Sequence, residues 1–162
     1  MEFIWSPWRY SYMASLGSHD APRPCVFCIG EDQTQDAERL VLHRGKLNFV
    51  ILNLFPYTSG HLMIAPYSHL SSVVAASSEQ TAEMMELAKA AMTALTDVYH
   101  PEGFNVGMNL GHVAGAGVRD HFHLHVVPRW AGDSNFMTIT GETRVLPEEL
   151  STTYTRLKRE MD

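Results

Sequence analysis

The sequence predicts an α+β fold, a mainly antiparallel sheet with one long helix and a C-terminal helix. Three observations predict it. Short apolar or alternating runs are separated by tight turn signals, as in strands that follow one another without crossover helices. One long segment after Ser77 carries apolar residues at helical spacing. A shorter helical pattern closes the chain. No repeat, low-complexity tract or linker divides residues 1–162, so the 162 residues read as one domain with its own core.

Taken in order, the N-terminal stretch is dense in aromatics (Trp5, Trp8, Tyr10, Tyr12) and is expected to pack on the body or on a partner subunit. Gly17 to Pro24 reads as loop, and Glu31 to Glu38 as polar and turn-like. Arg39–His43 and Asn48–Asn53 read as strands around a turn at Gly45. Pro56–Gly60 is a turn, His61–Ala65 a third strand, and Pro66 its end. Ser77 with Gln80 fits a capping box. Met84, Leu87, Ala88, Ala91, Leu95, Val98 and Tyr99 then mark one helix face until Pro101 stops it. Phe104, Val106 and Met108 alternate against Asn105, Gly107 and Asn109 as a half-buried strand. A glycine-rich loop, Gly111 to Gly117, leads into the strand His121 to Arg129. Phe136 to Thr140 reads as a short strand, and Pro147 suits the first turn of a final helix bearing Leu150, Tyr154, Leu157 and Met161.

Composition excludes several function classes. With 45% hydrophobic and 19% charged residues, the chain has the makeup of a folded globular protein. A formal charge of -6 argues against a nucleic-acid polymer as partner, and it means that an anionic substrate must be held by local donors. No apolar run is long enough to span a bilayer, and the N-terminus lacks the basic and apolar regions of a secretory signal. The expected location is cytoplasmic. The two cysteines lie close together, Cys25-Val26-Phe27-Cys28, which leaves a metal half-site, a redox pair or two small buried residues as readings.

The segment most informative about chemistry is Asp120-His121-Phe122-His123-Leu124-His125-Val126. Strand side chains alternate faces, so the three imidazoles share one face, expected to open into a cleft, while Phe122, Leu124 and Val126 pack toward the helix. The bland alternative is three polar residues on the wet side of a strand; three of the nine histidines on one strand face weigh against it. A neutral imidazole is nucleophilic near pH 7 and an imidazolium can give up a proton. The preceding loop, Asn109 to Gly117, offers backbone amides without bulky side chains, which suits phosphate oxygens.

The His-x-His-x-His pattern, the Asn-and-glycine loop before it and the segment Asn53 to Pro66 resemble the histidine-triad (HIT) superfamily. Val127-Pro128-Arg129-Trp130 through Phe136, with Trp5-Ser6-Pro7-Trp8-Arg9, resembles its bacterial branch that includes diadenosine tetraphosphate phosphorylases (ATP adenylyltransferases). The resemblance runs from about Trp5 to Leu157. It implies a HIT-like fold and a nucleotidyl-histidine intermediate. By position it makes His123 the nucleophile and His125 the residue at the scissile phosphate and leaving group. Asn109 becomes a phosphate-side contact and Asn53 a ribose contact. Ala116-Gly117-Val118 stands where many short family members have Gln and Ser or Thr. The amides of Gly115, Ala116 and Gly117, or the side chain of Arg129, are therefore expected to serve the phosphates.

Cys25, Cys28, His69 and His121 match the zinc ligands of some members of the superfamily. Two thiolates and two imidazoles make a closed tetrahedral set, structural rather than catalytic. Such a site locks His121 and leaves His123 and His125 for chemistry, with no cofactor needed for the reaction itself.

The expected activity is cleavage at the α-phosphate of a nucleotide, with diadenosine tetraphosphate phosphorolysis to ADP and ATP favoured. Water in place of orthophosphate would make the protein a dinucleoside polyphosphate or nucleoside phosphoramidate hydrolase. A catalytic metal on His121, His123 and His125 is a rival enzyme class, and a nucleotide-binding sensor without turnover a rival outside enzymology. The aromatic N-terminus and the resemblance together imply a homodimer.

Overall fold

In the computed structural model, residues 24–133 and 148–161 are described. The expectations for the aromatic N-terminus, for Phe136–Thr140 and for Pro147 lie outside them.

Among the described residues, five strands form one sheet in the order β1-β2-β3-β5-β4, every neighbouring pair antiparallel. They are β1 (Val41–Arg44), β2 (Asn48–Leu52), β3 (Leu62–Pro66), β4 (Gly103–Gly107) and β5 (Leu124–Arg129). Helix α1 (Asp36–Arg39) precedes the sheet, α2 (Ser78–Tyr99) follows β3, and α3 (Leu150–Met161) ends the described chain. The α+β expectation holds. Glu31–Glu38 differs, because this polar stretch winds into a 3-10 turn and α1. Leu40 then takes a left-handed conformation, which ends α1 and delays β1 to Val41.

The long helix starts where the capping box predicts. Ser77 Oγ accepts from the Gln80 amide, and the Gln80 side chain accepts from the Ser77 amide. Its buried residues Met84, Leu87, Ala88, Ala91 and Leu95 pack with Val50, Leu52, Leu62, Ile64, Phe122, Leu124 and Val126 on one face of the sheet. Leu157 of α3 joins them. The opposite face carries a second cluster of Phe49, Ile51, Met63 and Ala65, covered by Phe27 and Ile29. With both faces covered, β2 and β3 are buried along their full lengths. Strands β1 and β5 are buried in part, and β4 has no buried residue. Phe104 packs against the helix-side core, but Val106 is 42% exposed because β4 is an edge of the sheet among the described residues.

Candidate active site

The alternation expected across the histidine segment is kept. Phe122, Leu124 and Val126 enter the helix-side core, and the imidazoles lie on the other face. Two features differ from expectation. The regular strand begins only at Leu124, and the amide of Phe122 donates to the Leu70 carbonyl (2.7 Å), outside the sheet ladder. The imidazoles also do not all open into a cleft. His121 is fully buried and His123 is 5% exposed, because Phe27 packs against both rings at centroid distances of 5.4 and 4.6 Å. Of the three, only His125 lines the cleft, a space of about 410 Å³ that it shares with Tyr57, Thr58, Asn105, Asn109, Arg129 and Asp133.

Backbone anchors set the tautomer of each ring, since an N–H facing a carbonyl leaves the other nitrogen as acceptor. His123 Nδ1 donates to the His121 carbonyl (3.0 Å), so Nε2 carries the lone pair. His61, fully buried just before β3, accepts the Tyr57 amide at Nδ1 (3.1 Å) and therefore bears its proton on Nε2. That proton is donated to His125 Nδ1 (2.9 Å). The remaining nitrogen of His125, Nε2, is thus a donor. The result is a pair of neighbouring rings, centroids 4.8 Å apart, with opposite chemical capacities: one nitrogen with a lone pair able to attack, and one N–H able to meet negative charge.

His61 was not among the expected site residues. Its parity with Met63, which pairs with His125, was a usable signal, but only once β3 is known to lie beside β5. Residues 53–61 form the loop that holds it. Gly60 has φ +78, and a Cβ there would meet Leu95 Cδ2 at 2.7 Å, so glycine is required. Thr58 Oγ1 ties the loop to β5 by donating to the Pro128 carbonyl (3.0 Å). Asn53 serves the same loop: Oδ1 accepts the Phe55 amide (2.9 Å) and Nδ2 lies 3.3 Å from His61 Nδ1.

Burial pushes the His125 pKa from 6.5 down to about 4, with the neighbouring His123 adding to the effect. Burial also lowers His123. Both rings are neutral near pH 7. A depressed pKa in the folded state contributes stability that is present above the unfolded value and is lost as pH falls from 6.5 toward 4. The urea midpoint of the wild type should therefore fall more steeply across that window than the midpoint of His125→Gln. Parallel curves would show that His125 is not held neutral by the fold.

Other expected contacts are placed less simply. Asn109 lines the cleft. The amides of Gly115 and Ala116 donate within the loop, to the carbonyls of His112 (3.0 Å) and Gly111 (3.3 Å), so they do not form the expected open cradle. Ala116 is buried and Gly117 exposed. Arg129 reaches the cleft already engaged: Nε and Nη2 donate to Asp133 (2.5 and 2.8 Å) and Nη1 to Asn105 Oδ1 (2.5 Å).

Cys25, Cys28, His69 and His121 come together, their ligand atoms all within 4.8 Å of one another. Cys28 Sγ lies 3.3 Å from His69 Nδ1, and Cys25 Sγ lies 3.4 Å from His121 Nδ1. Tetrahedral zinc, with bonds of about 2.3 Å to sulfur and 2.0 Å to nitrogen, places such atoms roughly 3.5 Å apart. The donor set and the spacing fit a structural zinc site. His121 Nε2 donates to the Pro66 carbonyl (2.8 Å), which turns Nδ1 toward the thiols.

The sequence profile of the HIT domain matches residues 34–132. An AP-4-A phosphorylase of Mycobacterium tuberculosis is 40% identical over 157 residues, 94% of this chain and 80% of the relative. The adenosine 5'-monophosphoramidase hnt1 of Schizosaccharomyces pombe is 28% identical over 134 residues, 78% of this chain and 96% of that protein. Among solved structures, a zinc-bound histidine triad family protein from Mycobacterium smegmatis matches with a TM-score of 0.66 at 24% identity, covering 85% of this chain and 92% of that one. At that identity the likeness speaks to the fold. No helix among the described residues is long and apolar enough to cross a membrane.

Proposed function

The chain belongs to the histidine-triad family, and from that premise we propose that it cleaves diadenosine tetraphosphate by phosphorolysis. His123 Nε2 attacks the α-phosphorus, the bond from that phosphorus to the bridging oxygen breaks, and ATP leaves. His125 Nε2–H stabilises the departing oxygen by hydrogen bonding and keeps its proton. Orthophosphate then attacks the adenylyl-histidine, the phosphorus–nitrogen bond breaks, and ADP leaves with His123 restored. The observation that carries this reading is the relay of fixed tautomers, Tyr57 amide to His61 to His125 beside His123. The choice of dinucleotide leans on the 40% identity to the mycobacterial AP-4-A phosphorylase. A zinc at the four-residue cluster would hold the Cys25–Cys28 turn against the sheet; the residues named above do the chemistry.

In this reading Asn109 and Gly117 meet the phosphates, and Asn53 meets the ribose once it turns from its loop. Arg129 holds the incoming orthophosphate. One observation favours a hydrolytic alternative: Arg129 already carries Asp133 as counter-anion, so phosphate must compete for it. Product analysis in millimolar phosphate decides. ADP and ATP are expected, and Arg129→Ala should weaken phosphate use more than dinucleotide binding. AMP and ATP regardless of phosphate would make the protein a hydrolase.

The same reading takes residues 1–162 as a single domain acting in the cytoplasm as a homodimer. The edge of β4, with Asn105, Val106 and Gly107 exposed, supports a second copy pairing there. Light scattering at micromolar concentration should give about twice 18.2 kDa; a mass near 18.2 kDa would rule the dimer out.

A further inference from the structure

The Cys25-Val26-Phe27-Cys28 turn closes with the Cys28 amide donating to the Cys25 carbonyl (3.1 Å). Its two middle residues go opposite ways. Val26 is 64% exposed, whereas Phe27 is 2% exposed. With both thiols directed at His69 and His121, the turn has little freedom to rotate, and the side chain between them is driven into the sheet. There Phe27 lies edge-on to His121 (5.4 Å, 61°) and tilted across His123 (4.6 Å, 38°).

Among the described residues, the His123 ring is also held by the hydrogen bond from Nδ1 to the His121 carbonyl and by the edge of His125 at 4.8 Å. One hydrogen bond anchors one point of a ring. A wall is needed to stop rotation about the bond joining ring and Cβ, since a half-turn would carry Nδ1 away from the carbonyl and move Nε2 with it. Resting on the reading of His123 as nucleophile, we propose that Phe27 is a positioning residue, the wall that holds the attacking imidazole in its productive orientation. The four-residue cluster thereby serves the reaction at a distance, by fixing the turn that carries Phe27. Phe27 itself touches no substrate.

The proposal separates orientation from binding and from metal content. In zinc-loaded Phe27→Ala, zinc should remain at one per chain and KM within about twofold of wild type. A void beside the ring should lower kcat on the order of tenfold or more, because small misplacements of a reacting group are costly. Phe27→Leu, which keeps most of the volume, should recover much of that loss and remain a few-fold below wild type in kcat. The side-chain nitrogen shifts of His123 supply a readout independent of any substrate. Wild type should show the Nδ1–H tautomer alone, and Phe27→Ala a mixture of tautomers or orientations. Wild-type kcat together with a single Nδ1–H signal in Phe27→Ala would overturn the proposal. Should the alanine variant fail to fold, the leucine variant carries the test: a few-fold loss of kcat with broadened His123 signals supports it, and values equal to wild type overturn it. Absence of any dinucleotide turnover in wild type would instead remove the substrate reading, while the nitrogen shifts would still decide the role of Phe27.

Discussion

His123→Asn is expected to lower kcat by at least about a thousandfold while leaving nucleotide affinity within a few-fold, since removing a covalent step costs far more than removing one contact. Asparagine suits the test because its amide can still donate to the His121 carbonyl that Nδ1 meets at 3.0 Å, so the fold loses little. It supplies no nucleophilic nitrogen in place of Nε2. AMP binding by calorimetry and single-turnover release of ATP from the dinucleotide would be measured on the same preparation. His125→Asn is expected to be less severe, because it removes a donor to the leaving oxygen without removing the attacking atom. Turnover of His123→Asn within about tenfold of wild type would end the nucleophile assignment. Tight AMP binding by a wild type that turns nothing over would point to the sensor.

The second large effect concerns zinc. Untagged protein should carry one zinc per chain. Stripping it should lower the thermal midpoint by roughly 10 °C or more, since a closed structural site contributes its binding free energy to folding. Four ligand atoms within 4.8 Å of one another place two thiols and two imidazoles in close quarters, and without an ion they have no comparable partner. Cys28→Ser should reproduce the loss, because Cys28 Sγ is within reach of both His69 and His121 (3.3 and 3.8 Å). Absence of stoichiometric zinc, or a midpoint indifferent to chelation, would remove the site. The set has no open coordination position, so any loss of turnover should follow the displacement of Phe27 and His121 rather than the loss of a metal-bound water.

Local features were legible in the sequence because they are written within a few residues. The capping box at Ser77 and Gln80, the helical face from Met84 to Leu95 and the alternation of Phe122, Leu124 and Val126 each depend on backbone geometry repeating over one turn or one pleat. The residue types suited to metal binding and to phosphoryl chemistry were legible for the same reason, as a short cysteine pair and three histidines at alternate positions. Less legible was everything set by distant partners. That His121 and His123 are buried depends on Phe27, nearly a hundred positions earlier, folding across the sheet. That His125 is a donor depends on His61, brought beside it by the antiparallel pairing of β3 with β5. That Arg129 arrives neutralised, and that the Gly115 and Ala116 amides are used within their own loop, follows from side-chain and turn geometry that composition does not encode. Periodicity assigns a side chain to a face, because the pleat fixes its direction. Which residue covers that face, and so which nitrogen keeps its lone pair, is decided by strand order and register, which only the folded chain possesses.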